Sequence, residues 1–489
     1  MSAPARTLTP GPSPLPSQGE GSTTDPDTGD LLGGGASDAS ASRGKAPSSP
    51  GEGGGEGTGE EGRARALFRD RARRWAKILA AYFTAQTLTQ LLGIAAGLLL
   101  VRSLPVREFA LYSLAFSVVT FFNFVSDLGS TTSLLHFFHR AVRDGETFQP
   151  YYDAVLSLRR GGFLLGAVAV VAAFPAVAAR QGFERRDIVL CMAGILLCVW
   201  FQIRVSLRVL VLRLRSALLR SYRAEMAGAV LRLGLAGVMV LTSWLQAWLG
   251  VLASALGAAL TARLARPDPS PATAAPPEEL GLYRRRVLRY LLPTLPAALY
   301  YSVQGPLVVW LSATFGSTRT IAEVGALGRL GLVVGMFAGL TGTVFLPRLA
   351  YVVDDRHYRR RYLQFGGLLA AVAGGLTLLA AAAPRPFLWL LGPRYTGLGP
   401  ELLLVVTASG LSLLDGYAVN VNLARSWTRW QGAALAVQIS TQAVLVGLLP
   451  LSNTFNVLRF NALSAGLALG LQLLTALAGF TRPRWVYWP

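Results

Sequence analysis

The chain has 489 residues, 52% of them hydrophobic and 15% charged, and its 46 Lys and Arg outnumber 26 Asp and Glu to leave a formal charge of +20. A soluble chain this basic would point to nucleic acid. Here the arginines separate long uncharged apolar runs, such as 290–315 and 430–458, and about 20 apolar residues cross a hydrocarbon core, so the composition argues for a bilayer and against a nucleic-acid partner.

Residues 1–62 come first and are a different material. "GPSPLPSQGEGSTTDPDTGDLLGGGASDAS" is Gly, Ser, Pro and Asp with almost nothing to bury, so a disordered tail is expected, dispensable for function. It has no apolar h-region and is not a signal peptide. The basic flank "RARALFRDRARRWAK" then precedes the first apolar run. Twelve spans are expected: 78–101, 109–131, 160–179, 187–204, 224–243, 246–264, 290–312, 323–346, 363–383, 400–422, 431–450 and 457–479. The second could run on to His139. They divide the chain into a first six-helix bundle (63–266), a cytoplasmic linker (267–289), a second bundle (290–480) and a short C-terminus (481–489).

Between the fourth and fifth spans, Leu207, Leu210, Val211, Leu214, Ala217 and Leu218 follow helical spacing with arginines on the remaining arc. This reads as a basic amphipathic helix on the membrane surface, or as an extension of the fourth span. Cys191 and Cys198 share one span about 10 Å apart along the axis, too far for a disulfide, and read as buried fillers. With three histidines and no Cys/His cluster, neither metal nor cofactor is expected.

Counting Lys and Arg in alternate connections gives 32 on one side, including both termini, and 8 on the other. The positive-inside rule then places both termini in the cytoplasm. An internal repeat is also visible. "PVREFALYSLAFS" (105–117) and "RTIAEVGALGRLG" (319–331) each follow the first span of a half, with Glu108 and Glu323 215 positions apart. "GGFLLGAVAVVAA" (161–173) resembles "GGLLAAVAGGLTL" (366–378). Six is even, so the two halves enter the membrane from the same side and form a parallel 6+6 repeat.

"LTQLLGIAAGLLLVRSLPVREFALYSLAFSVVTFFNFVSDLG" (88–129), "EVGALGRLGLVVGMFAGLTGTVFLPRLA" (323–350) and "FLWLLGPRYTGLGPELLLVV" (387–406) resemble polysaccharide-transport flippases of the MOP (multidrug/oligosaccharidyl-lipid/polysaccharide) superfamily. The resemblance covers about 75–480. It implies an all-α, MATE-like V of two six-helix bundles around a central cavity, in the bacterial inner membrane. It further implies that the chain flips a polyprenyl-diphosphate-linked oligosaccharide to the periplasmic leaflet for O-antigen, capsule or exopolysaccharide synthesis. Its partners would then be that lipid-linked sugar, membrane lipids and other polysaccharide-assembly membrane proteins. A peptidoglycan-precursor flippase and a drug or cation antiporter of the same superfamily are the alternatives. A membrane polymerase or sugar transferase fits less well, because the expected outer connections are short and no D-x-D or DDxxD occurs.

A diphosphate headgroup needs a polar, positive path, best lined by Arg. Arg232, Arg329 and Arg459 are the basic residues placed well inside spans, and intramembrane charge is functional by default. Arg329 has the family position for this role, although the tyrosine of the family motif is absent beside it. Each arginine also has a snorkelling reading. Asp415 reads as a charge partner for an arginine or as a coupling-ion site. Tyr300, Tyr301, Gln304, Asn420 and Asn422 read as sugar contacts or as interhelical glue. Asp127 reads as ending or kinking the second span. Pro293, Pro296 and Pro306 suggest a bend in the seventh.

Overall fold

Among the described residues, ten helices are long and apolar enough to cross a membrane. They belong to a computed structural model that describes residues 86–127, 129–145, 147–215, 217–266, 277–350, 352 and 354–481. The tail 1–62, the basic flank and first residues of the first span, linker residues 267–276 and residues 482–489 lie outside the described residues. Within them the chain is helical, with no strands. The first half contains α1 (86–103), α2 (Val106–Asp127), α4 (Gln149–Arg180), α5 (Arg185–Leu214), α6 (Leu218–Leu241) and α7 (Ala247–Leu264). The second contains α9 (Leu295–Phe315), α10 (Thr318–Gly335), α13 (Asp355–Ala382), α15 (Gly399–Ala424), α16 (Gln431–Leu448) and α17 (Thr454–Thr481). A helix therefore stands at each expected span. The two outside the ten are α1, described only in part, and α9, whose Tyr300, Tyr301, Gln304 and Pro306 dilute its apolar character.

The repeat is visible in the packing. In each half the fourth span packs most extensively on the sixth, α5 on α7 and α15 on α17. The two glutamates of the repeated motif do the same task. Glu108 on α2 accepts a hydrogen bond from the Ala247 backbone N–H at the start of α7 (2.8 Å), and Glu323 on α10 accepts one from Thr454 Oγ1 at the start of α17 (2.5 Å). A carboxylate beside a helix N-terminus complements its unpaired N–H groups and the helix dipole.

Two further amphipathic helices, α3 (Ser130–Asp144) and α8 (Pro277–Leu291), lie between spans. The second span does not run on to His139. It stops at Asp127, and Gly129 at φ 78° turns the chain into α3, a conformation that favours glycine. Leu134 and Phe137 of α3 and Val287 and Leu291 of α8 share a small core with Tyr151 and Val155 of α4. The separate surface helix at 205–223 is not formed. Helix α5 simply continues to Leu214, the chain breaks, and α6 starts at Leu218. Leu207 and Val211 are buried against protein, so the apolar arc that suggested a membrane contact faces neighbouring helices.

In the seventh span, Pro293 sits in a 3-10 turn (Leu292–Thr294) ahead of α9. The larger irregularity is in the eighth. After α10 come α11 (Ala338–Leu340), a π-helical turn (Thr341–Phe345) and α12 (Leu346–Ala350). Gly335, Gly339 and Gly342 weaken helix here, and π turns are frequent at functional sites.

The halves meet through α2, which packs on both α9 and α10. Trp310 Nε1 donates to Ser117 Oγ (3.1 Å), and its ring meets Phe121 edge-on. Gly325 permits the closest approach, because a Cβ there would lie 2.3 Å from Ser113 Oγ. Further contacts join the arginine-poor ends. Arg394 donates to the Leu104 carbonyl, Arg102 sits over Trp389, and Gln181 Nε2 donates to the Ala313 carbonyl (2.8 Å). Arg394 comes from the loop after the short α14 (Pro384–Leu391).

Candidate functional site

Helix α10 starts cleanly. Ser317 Oγ accepts from the Thr320 N–H, and the Ser317 N–H donates back to Thr320 Oγ1, forming a capping box. That start puts Arg329 three turns into the helix, and its side chain is only 9% exposed. It does not snorkel to a surface. Its guanidinium crosses into the first half, 4.7 Å from the Phe116 ring centre and 5.6 Å from that of Tyr112. Gly97 of α1 lets it pass, since a Cβ there would stand 3.3 Å from Arg329 Cδ.

Arg232, on α6, reaches the same point from the other side. It donates to the Tyr112 hydroxyl (3.2 Å) and lies 5.4 Å from the Phe116 ring centre. Its Nε is buried with no hydrogen-bond partner. The two guanidinium groups are within electrostatic reach of each other, and no carboxylate is paired with either among the described residues. Aromatic faces offset part of the cost of burying them, but two like charges in a low-dielectric setting remain short of an anion. Tyr112 and Phe116 are the residues that sequence reading missed. They sit one turn apart inside the repeated motif, on one face of α2, and that spacing was the available signal.

Arg459 is not part of this group. It is exposed near the start of α17. Asp415 on α15 has no ion pair among the described residues, and its Oδ1 is buried without a hydrogen-bond partner. It lies within electrostatic reach of Tyr300 and Tyr301. Tyr300 and Gln304 on α9 both hydrogen-bond Gln442 on α16, at 3.4 and 3.2 Å. Tyr301 is half exposed. Asn422 is fully buried and donates to the Gln472 carbonyl and Oε1, which makes it a tie between α15 and α17. Asn420 is exposed and donates to the Gly416 carbonyl of its own helix. Among the described residues no three His, Cys, Asp or Glu side chains come together as a metal site.

A second polar centre lies at the arginine-rich end. Arg159 of α4, 2% exposed, donates to Ser130 Oγ (2.6 Å), Ser206 Oγ (2.5 Å), Thr131 Oγ1 (2.8 Å) and the Asp127 carboxylate. Asp127 thus ends the second span and also neutralises a buried arginine. In the sequence this arginine falls in the connection before the third expected span (160–179), where nothing marks it as buried.

No protein-family model matches the chain, and no curated protein matches it. Solved structures do. The inward closed conformation of the lipid II flippase MurJ superposes with a TM-score of 0.58 at 11% identity, covering 81% of this chain and 87% of that one. The Vibrio cholerae MATE transporter VcmN, in the form of a point mutant, gives 0.54 at 15% identity over 83% and 97%. An outward-facing multidrug resistance MATE family transporter of the MOP superfamily gives 0.50 at 16% over 82% and 94%. This multi-pass membrane protein has the fold of these flippase and MATE transporter structures.

Proposed function

We propose that the chain is a transporter that flips a polyprenyl-diphosphate-linked oligosaccharide from the cytoplasmic to the periplasmic leaflet, for cell-surface polysaccharide synthesis. The observation that carries this reading is the pair Arg329 and Arg232, two arginines with no carboxylate paired to them among the described residues, facing each other at the joint between the halves. An anionic headgroup supplies the missing charge. Arg gives it bidentate contacts, while the prenyl tail stays in lipid. In the conformation described here Arg329 is walled in by Tyr112 and Phe116. Rearrangement of the halves exposes it, and the diphosphate replaces the aromatic faces. On this reading the arginine-rich end and both termini are cytoplasmic, and the tail 1–62 is dispensable.

Arg329→Ala inserts and folds but abolishes export, with carrier-linked units accumulating on the cytoplasmic side. Arg329→Lys keeps partial activity, because it retains charge and loses the planar fork. Export by Arg329→Gln at the unmutated rate refutes the reading. A peptidoglycan-precursor flippase has a chemically similar carrier, and complementation of strains deficient in each pathway separates the two.

The unpartnered carboxylate of Asp415 favours a second reading for the other half, a site that takes up a proton or cation to drive the cycle. Asp415→Asn then abolishes transport driven by an ion gradient while substrate binding persists. Unchanged gradient-driven transport removes the proposal.

A further inference from the structure

The arginine-rich ends of α5 and α7 leave a cleft of about 430 Å³ lined by Arg204, Arg208, Arg263 and Arg266, with Phe201 and Ala259 among its apolar lining residues. Among the described residues, no Asp or Glu lines it. Asp153, on α4, is held by Gln149 and lies within reach of Arg160. Two of the four arginines are already positioned. Arg204 lies 4.1 Å over the Trp200 ring, and Arg208 donates to the Ala262 carbonyl. Arg208 and Arg160 both lie within electrostatic reach of Arg204, so like charges crowd together. A second cleft, lined by Leu218, Leu219, Leu264, Arg220 and Arg223, adjoins through Arg220, which donates to the Arg266 carbonyl (2.8 Å).

Orientation in a membrane requires positive charge at this end, but it does not require four arginines around one hollow. The matching corner of the second half, between α15 and α17, is built otherwise. Arg425 is paired with Asp355 (3.3 Å) and lies over Tyr358, and Trp427 packs against Phe480 and Gly479.

We propose that the α5–α7 cleft binds the phosphate headgroup of an anionic phospholipid, with its acyl chains running along the adjoining Leu218–Leu219–Leu264 surface. Basic pockets between spans suit such headgroups, and the apolar neighbour favours a lipid over free phosphate. The transported lipid passes between the halves, whereas this cleft lies wholly within the first. The site is therefore independent of the transport reading and is tested without transport.

The test uses the full chain in detergent, with bound lipid read by native mass spectrometry. Phosphatidylglycerol is titrated against phosphatidylcholine, inorganic phosphate and a polyprenyl diphosphate. The intact chain retains phosphatidylglycerol preferentially. Arg204→Gln with Arg263→Gln weakens that binding about 30-fold, with an unchanged melting temperature. The control Arg359→Gln with Arg360→Gln removes the same charge from exposed positions on α13 and leaves binding unchanged. Equal loss in the control, equal retention of phosphatidylcholine, displacement by inorganic phosphate, or displacement by an equal concentration of polyprenyl diphosphate each overturns the proposal.

Discussion

At the arginine-rich end of the first half, α2, α3, α4 and α5 are tied by one buried arginine, Arg159, through Asp127, Ser130, Thr131 and Ser206. The second half has aromatic rings there. Tyr362 and Tyr417 stack, Phe345 stacks on Phe365, and Phe480 meets Tyr362 and Trp427 edge-on. The Tyr417 hydroxyl donates to the Tyr362 carbonyl (2.9 Å). The backbone plan is duplicated, down to Glu108 and Glu323, while the side chains filling it have diverged. A polar tie is directional and depends on every partner. An aromatic stack is more forgiving, because its energy is spread over many weak contacts.

The largest expected effect tests that contrast. Asp127→Ala leaves Arg159 as an uncompensated buried charge, at a cost of about 3–5 kcal/mol. Loss of folded, monodisperse protein on size-exclusion chromatography is the readout. Tyr417→Phe in the second half removes one hydrogen bond and costs only about 1 kcal/mol. If the two variants melt alike, the polar tie does not carry the first half.

Close packing at glycines is set site by site in both halves. A Cβ on Gly228 of α6 would lie 2.0 Å from Thr261 Oγ1 and 2.6 Å from the Gly257 carbonyl, so Gly228→Ala forces α6 off α7. That costs about 1–3 kcal/mol. Gly470 on α17 has nothing within 4 Å of its Cβ position, and Gly470→Ala changes the melting temperature little. The pair is compared by thermal unfolding in one detergent.

The repeat itself is sharpened by the two glutamates. Glu108→Ala and Glu323→Ala each remove a carboxylate from the start of a half's sixth span, and each costs about 1 kcal/mol. Effects that differ by more than about two-fold would show that the paired glutamates are not equivalent.

The smallest effect is at the α13 N-terminus. Asp354 caps it, accepting from the His357 N–H (3.0 Å), and hydrogen bonds from the His357 ring and backbone hold its carboxyl below the usual carboxylate range. A depressed folded-state value means that the cap is fully present above the ordinary Asp range near pH 4 and is lost as pH falls through the lower folded value. The protection of the His357 amide relative to its intrinsic exchange rate therefore falls only below about pH 4, and Asp354→Ala removes that loss.

Much of this architecture was legible in the residues. Apolar runs separated by arginines predicted a helix at every expected span, because in a bilayer a span must satisfy its own backbone hydrogen bonds. The "REFALYSLAFS" and "AEVGALGRLG" segments revealed the repeat, since duplicated packing asks for the same glutamate at the same place. Tertiary structure decided the rest. The periodicity at 205–223 was real, but periodicity says that a face is buried and not against what, and here protein covers it. Arg159 and Arg329 are both arginines beside apolar sequence. The first proved to be a buried tie and the second to cross between the halves, because only the folded chain brings Asp127, or Tyr112 with Arg232, to within reach of them.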